Sequence, residues 1–206
     1  MPPVGVTLAP GTEPYFPVLR ELAGTIWRQH YAAIISAAQI DFMLAGRFGD
    51  GALREHQQAA GRWLEGLLVS GTPVGSCGYG LASMAGNEAS AAAMKIGQLY
   101  VLESHRGMGL GRFMLGHVEG RARELVRRAL CLQVNKRNIG AVRFYTAAGF
   151  EVRRARHSWS CVTGQDRAAH LLGGQSAVLV RRDVVLPFEV GDRGKRVRVF
   201  EGHGRW

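Results

Sequence analysis

The sequence predicts an α/β or α+β sandwich, a sheet with helices packed on it, and three observations carry that prediction. Apolar residues recur at helical spacing between Pro14 and Ala60. From Trp63 onward the pattern becomes short apolar runs broken by turn residues. From Ala93 the order is strand, glycine loop, helix, strand, helix, strand. That alternation belongs to layered α/β architecture.

Each element has a local reason. Val4 to Leu8 alternate weakly and read as an edge strand, broken by Pro10-Gly11-Thr12. From Pro14 the positions Phe16, Leu19, Leu22, Ala23, Ile26 and Trp27 form one helical stripe. Thr12 or Glu13 is its expected cap, with Pro14 in the first turn. Ile35, Ala38, Gln39, Phe42 and Met43 make a second helix, stopping near Gly46–Gly51. Ala52 to Ala60 makes a short third. Trp63 to Val69 and Val74 to Met84 read as a hairpin around Ser70-Gly71-Thr72-Pro73. Ala85 to Ala92 is a loop of small residues, and Ala93 to Leu102 is a third strand. Beyond the glycines, Leu110, Met114, Val118, Ala122 and Leu125 share a stripe, with Phe113 and Val126 beside it. Arg112, Glu119, Arg123, Glu124 and Arg127 lie opposite. Ala129 to Val134 reads as a buried strand. Asn138 caps a helix to Ala148 that Gly149 stops, and Phe150 to Ala155 begins another strand.

Composition narrows the class. A chain of 206 residues suits one domain with a sizeable core and an appended tail. There is no long uninterrupted apolar run, so no transmembrane helix is expected. The first residues, Met1-Pro2-Pro3-Val4-Gly5, lack a basic and then an apolar region, so no secretory signal is expected, and the expected location is the cytoplasm. Cys77, Cys131 and Cys161 are widely spaced with no CxxC. Buried reduced thiols are the plain reading, with no metal site. The formal net charge is +10. The excess is densest after residue 150, where Arg153, Arg154, Arg156 and Arg181-Arg182 fall. No aromatic–basic platform accompanies them, so solvated surface is preferred to a nucleic-acid interface.

The chemistry is concentrated in Gln98-Leu99-Tyr100-Val101-Leu102-Glu103-Ser104-His105-Arg106-Gly107-Met108-Gly109-Leu110-Gly111. Three glycines at alternate positions leave backbone N–H groups unobstructed by Cβ atoms. The helix that follows aims its positive end at the same point. Such a loop binds phosphate. A P-loop needs Lys-Ser or Lys-Thr after the glycines, and none follows. A dinucleotide fingerprint needs GxGxxG; counted from Gly107, the sixth position is Arg112. The next strand ends in Asn135-Lys136 with no acidic residue for a ribose.

The third arrangement fits residue by residue. Val101-x4-Arg106-x2-Gly109-x-Gly111 resembles the acetyl-CoA signature of the GNAT (GCN5-related) N-acetyltransferases. Leu132-x-Val134-Asn135-x2-Asn138-x2-Ala141-x2-Phe144-Tyr145-x3-Gly149-Phe150 resembles the family's second signature, in the right order and on the expected elements. The N-terminal helical part, from Ile26 to Leu44, is similar to a bacterial subgroup of the same family.

The resemblance implies a three-layer acyl-CoA N-acyltransferase sandwich. Its central sheet is mixed and mostly antiparallel, with two parallel strands, 93–102 and 129–135, splaying apart. It implies residues 1–155 as the acetyltransferase domain. Residues 156–206 are then an atypical basic C-terminal segment and partly disordered tail. Ser176 to Val180 or Asp183 to Val190 are candidates for the closing strand. It implies acetyl-CoA as co-substrate, its pyrophosphate held by the N–H groups of Gly107, Gly109, Leu110, Gly111 and Arg112. Met108 lies in the same loop, and Arg106 and Arg112 add charge. The pantetheine arm would pair along Leu99, Tyr100 and Val101, with the thioester carbonyl near the Val101 N–H. Asn138 would hydrogen-bond that arm, and Tyr145 would protonate the departing thiolate.

The implied activity is acetyl transfer to a primary amine by direct attack in a ternary complex; no cysteine is placed to form a covalent intermediate. A non-catalytic acyl-CoA-binding module is the alternative. The strand before the loop offers Lys95, Gly97 and Gln98 but no carboxylate, and Glu88 and Glu103 lie in loops. No general base is therefore assigned. His30, Tyr31 and Asp41 are candidates for lining the acceptor pocket. The acceptor is a small-molecule or peptide amine. Neither a nucleic acid nor a membrane is expected as partner, and a homodimer is left open.

Overall fold

The computed structural model describes residues 4–33, 35–82, 93–153 and 176–182. The chain opens with strand β1 (Val6–Pro10) and a single 3₁₀ turn (Glu13–Tyr15). Helices α1 (Phe16–Tyr31), α2 (Ala37–Phe48) and α3 (Asp50–Gln58) follow. Next come strands β2 (Arg62–Val69), β3 (Thr72–Leu81) and β4 (Ala93–Val101). Helix α4 (Leu110–Glu124), strand β5 (Ala129–Asn135) and helix α5 (Ile139–Ala147) build the second half. Strands β6 (Glu151–Arg153) and β7 (Ser176–Arg182) complete it.

Several local expectations shift by a residue or two. Thr12 stands at the head of the 3₁₀ turn and its side chain caps nothing; α1 proper begins at Phe16 with Pro17 in its first turn. Helix α2 passes through Gly46 and ends at Gly49, and its start is capped by Ser36, whose Oγ accepts from the Gln39 N–H at 3.2 Å. The hairpin turn is only Ser70-Gly71, both at positive φ (49° and 81°). That is the two-residue turn whose twist matches its strands. Thr72 and Pro73 already belong to β3, and Pro73 sits where the register with β2 shifts between Leu67 and Leu68. A bulge is one of the few places a sheet accepts proline. The loop expected over 85–92 lies outside the described residues.

The seven strands form one sheet in the order β1-β2-β3-β4-β5-β7-β6. Every neighbouring pair is antiparallel except β4 and β5. The closing strand is Ser176–Arg182, placed between β5 and β6; the alternative, Asp183 to Val190, lies outside the described residues.

Helices cover the sheet because their apolar stripes need a partner surface. Leu110, Met114, Leu115, Val118 and Ala122 of α4 are buried against Met94, Ile96, Leu130, Leu132 and Leu179 of the sheet. On the other face, Phe16, Leu19 and Trp27 of α1 pack with Met43, Phe48 and Leu53, reaching Leu64 and Tyr100. Val126 does not join the α4 stripe. It is 70% exposed and adopts φ 54° just past the helix end. Glu119, expected on the solvent side of α4, instead turns to β7, where Arg181 Nη1 donates to its Oε1 at 2.5 Å. Cys77 is buried and free, as expected, but Cys131 is disulfide-bonded, so the reading of three reduced thiols is corrected.

Candidate active site

The parallel strands β4 and β5 pair only from Ala93–Ala129 to Ile96–Leu132. Beyond that point each continues without the other, to Val101 and to Asn135. The break coincides with a bulge in β4. Gln98 faces Gly78 of β3 but Ile96 faces Tyr79, leaving Gly97 as the extra residue. A bulge bends its strand and raises its twist, which swings the end of β4 away from β5.

The register then decides which backbone groups face the gap. Leu102 N–H donates to the Val74 carbonyl at 2.8 Å, and the β3–β4 pairs run back from there without a shift to Gln98. Hydrogen-bonded and non-bonded pairs alternate along an antiparallel ladder. Leu102, Tyr100 and Gln98 therefore bond to β3. Leu99 and Val101 direct their N–H and C=O groups towards the space β5 has vacated.

At the end of β4 stands the glycine loop. Gly107 and Gly109 adopt φ 79° and 77°, where a side chain is strained. A Cβ at either would meet open space within 4 Å, so the loop backbone faces an unfilled concavity. Gly111 is favoured for a different reason: a Cβ there would lie a tight 3.2 Å from the Phe144 ring of α5. Phe113 N–H is bonded to the Gly109 carbonyl, so the N–H groups of Leu110, Gly111 and Arg112 precede the first intrahelical bond of α4. No side chain caps them. They present three donors and the positive end of the helix dipole to the concavity.

A cavity of about 590 Å³ joins these features. Leu99, Tyr100, Val101, Arg106, Gly107, Gly109, Leu110, Gly111, Arg112, Asn138 and Tyr145 all line it. Met108, from the same loop, does not; its side chain is 54% exposed. His105 lines the mouth, with Nδ1 2.9 Å from Ser104 Oγ.

Asn138 does two things, of which the cap is the one the sequence suggests. Its Oδ1 accepts from the Ala141 N–H at 3.0 Å and so caps α5, while the side chain also lines the cavity and meets the Tyr31 hydroxyl. Tyr145 is buried, its ring edge-on to Phe144 and Phe150. Burial raises its pKa, with the neighbouring Cys77, Tyr100 and Tyr31 acting in the same direction. Tyr31 and Tyr100 are raised chiefly by burial too, opposed by the Arg47 charge. Three phenols thus converge on the cavity, each protonated at neutral pH.

The remaining wall comes from α1 and α2: Ile26, Trp27, His30, Tyr31, Met43 and Arg47. His30 and Tyr31 stand where expected. Asp41 does not; it lies on the surface, 2.8 Å from Arg28 Nη2. Glu103, in the turn after β4, does not line the cavity. Glu88 lies outside the described residues. Arg47, Met43 and Trp27 were invisible as site residues because side chains on separate helices meet only after folding. His117, on the flank of α4, has its Nε2 3.1 Å from Tyr79 Oη and 2.8 Å from Glu65 Oε2.

Residues 21–150 match the sequence profile of the acetyltransferase (GNAT) family, more than half of the chain. The chain belongs to this family. Among solved structures it is similar to the PaiA N-acetyltransferase of Thermoplasma acidophilum in complex with coenzyme A. That match has a TM-score of 0.68 and 15% identity, over 86% of this chain and 98% of the other. It is also similar to an acetyltransferase of Thermus thermophilus, with a TM-score of 0.63 and 20% identity, over 87% and 97% of the two chains. These identities speak for the fold: the GNAT acyl-CoA N-acyltransferase sandwich with its mixed, mostly antiparallel sheet. A search of curated proteins finds no match. Among the described residues no helix is long and apolar enough to cross a membrane.

Proposed function

We propose that this GNAT protein transfers an acetyl group from acetyl-CoA to a primary amine, by direct attack of the amine on the thioester in a ternary complex. The observation that carries this reading is the gap between β4 and β5. The free edge of Leu99 and Val101, the uncapped start of α4 and the Tyr145 hydroxyl all open on one cavity.

Each residue has a task in this reading. The N–H groups of Gly107, Gly109, Leu110, Gly111 and Arg112 donate to the pyrophosphate of the cofactor, and Arg106 and Arg112 screen its charge. Leu99 and Val101 offer their strand edge to the pantetheine amides. The Val101 N–H, fixed by β4, donates to the thioester oxygen as negative charge develops there. Asn138 holds the arm from the opposite strand's side. Tyr145 donates its proton to the departing thiolate. Its raised pKa keeps the hydroxyl neutral, so the donor is present throughout the pH range in which amines deprotonate. No side chain is assigned as base. The reading supplies the amine neutral on arrival or deprotonated through water. We further propose residues 1–155, completed by strand β7 from the C-terminal segment, as the catalytic domain, and the cytoplasm as its location.

Thermal unfolding with and without acetyl-CoA tests the cofactor half. At 100-fold excess over the dissociation constant, binding adds about 2.7 kcal/mol to stability. No stabilisation would refute the reading. Thiol release over an amine panel tests the chemistry. Tight binding without thiol release would identify the chain as an acyl-CoA-binding module instead.

A further inference from the structure

Among the described residues, three imidazoles border the space around the gap. His30 and His105 line the main cavity, and His105 lies against the Ser104 hydroxyl. His56, near the end of α3, lines a second cavity of about 90 Å³ beneath α2 and α3. Gly97 and Gln98 border both spaces, so the two meet at the β4 bulge. Gln98 Nε2 donates to Ser76 Oγ at 3.2 Å, which holds its amide at that join.

The His56 ring is set up to accept a proton. Burial lowers its pKa; the Trp63 backbone favours the charged ring, Arg62 disfavours it and Glu55 favours it. The balance keeps the ring neutral at pH 7. Its Nε2 is buried and has no hydrogen-bond partner. A backbone group that favours imidazolium is a carbonyl accepting from a ring N–H. Since Nε2 makes no bond, Nδ1 carries the proton and Nε2 keeps its lone pair. An unmet buried acceptor is unfavourable and marks a place for water or substrate. The smaller cavity has room for a few waters, each needing about 10–15 Å³ of such space.

We propose that His56 is the terminal base of the acetyl transfer, taking the acceptor's proton at Nε2 through water in the smaller cavity. The proposal rests on the acetyltransferase reading and says where the water in that reading leads. As the amine nitrogen bonds to the thioester carbon it becomes positively charged and must lose one proton. That proton passes through water at the β4 bulge to His56. The C–S bond breaks, and the thiolate takes the Tyr145 proton. His56 is then one proton richer and Tyr145 one poorer, and proton exchange through solvent restores both. An imidazole of lowered pKa serves here because the charged nitrogen of the adduct is far more acidic than a free ammonium ion. The groups around His56 are Arg47 of α2, Glu55 of α3, Arg62 of β2, Tyr79 of β3 and Lys95 of β4. Of these residue types only histidine ordinarily changes charge between about pH 5 and 8.

The test is the pH dependence of thiol release at saturating acetyl-CoA, with spermidine, glutamate, phenethylamine and a dipeptide amide as acceptors. Acetyl-CoA affinity is measured in parallel. A base must be unprotonated to act, so kcat should fall as pH drops through a value below about 6.5, the ordinary imidazole figure. His56→Gln should lower kcat at pH 7 by roughly 100-fold and abolish that acid limb, with acetyl-CoA affinity retained. Free imidazole should restore part of the turnover of His56→Ala. His30→Gln should keep the limb. A purely structural role for His56 would lower kcat equally at every pH and leave the limb in place, and that result would overturn the proposal. So would a wild-type limb centred above about pH 8, nearer the amine's own value, or loss of the limb in His30→Gln. If the His56 variants do not fold, the position of the wild-type limb and the His30→Gln profile decide. Failure to bind acetyl-CoA, or binding with no turnover of any acceptor, would instead bring down the acetyltransferase reading, and this proposal with it.

Discussion

The two walls of the cavity are built from different materials. The wall formed by β4, the glycine loop and the start of α4 acts through its backbone: the free edge of Leu99 and Val101, and the N–H groups ahead of Phe113. The wall formed by α1 and α2 acts through side chains: Trp27, His30, Tyr31, Met43 and Arg47. Backbone groups are the same whatever residues flank them, so the first wall suits a constant partner. Side chains change with each substitution, so the second wall suits a partner that differs between relatives. In this protein the constant chemistry is main-chain geometry and the variable chemistry is painted onto helices.

That contrast can be broken experimentally, and the largest effect should come where the two walls face each other. Tyr145→Phe keeps the ring in its packing against Phe144 and Phe150. It should lower kcat by roughly 10- to 10³-fold with little change in acetyl-CoA affinity. Steady-state kinetics checks this, and unchanged turnover would reduce Tyr145 to a core residue.

Next, Gly109→Asp places a carboxylate at the head of α4 and a side chain at φ 77°. Apposed like charges cost several kcal/mol, so acetyl-CoA affinity should fall by about 100-fold. Calorimetric titration reads it. Retained affinity would mean the phosphates lie elsewhere. Met114→Ala in the α4 stripe, fully buried beneath the same wall, should cost about 2–5 kcal/mol of stability. Chemical denaturation measures that, and a loss under about 1 kcal/mol would show that α4 is not clamped to the sheet as described.

The pH profile should show an effect by its absence. A raised phenol pKa keeps the proton on Tyr145 as pH increases. Thus kcat/KM should climb while the amine deprotonates and show no falling limb below about pH 10, the unperturbed tyrosine value. A descending limb two units lower would assign the acid elsewhere. Smallest of all, Asp41→Asn breaks an ion pair with Arg28 whose two side chains are 60% and 64% exposed. Such pairs contribute about 0–1 kcal/mol, so stability and acetyl transfer should both be nearly unchanged.

The same division explains what could be read in advance. The glycine spacing and the Asn138–Tyr145 segment are local patterns, and local patterns survive in sequence. Each fixes a short stretch of backbone, and those stretches meet in the cavity. The Gly97 bulge is not legible in this way. It depends on the register between β3 and β4, which no single strand encodes. Arg47 falls within Gly46–Gly51, where the second helix was expected to stop, and its place in the cavity wall depends on where α2 packs. Asp41 sits on the same helix, six positions earlier, and faces solvent. Cys131 read as a thiol because pairing is a property of distance in space, not of spacing along the chain. The turn at Ser70-Gly71 was placed too generously, since Pro73 is ordinarily a turn residue and here occupies a bulge.

The placement of β7 has a consequence for how the molecule comes into being. The strand that fills the sheet between β5 and β6 is the last one described, and Cys131 finds its neighbour Val180 only after a long intervening stretch of chain. Pairings that close so much chain form late. Until residue 182 has emerged from the ribosome, β5 holds an apolar edge with nothing beside it, and such edges invite pairing with other chains. The Arg181–Glu119 contact then ties the newcomer to α4, the helix that opens at the glycine loop. A nascent chain stopped at residue 155 would therefore carry both sequence signatures of the family and still lack the strand that locks them in place.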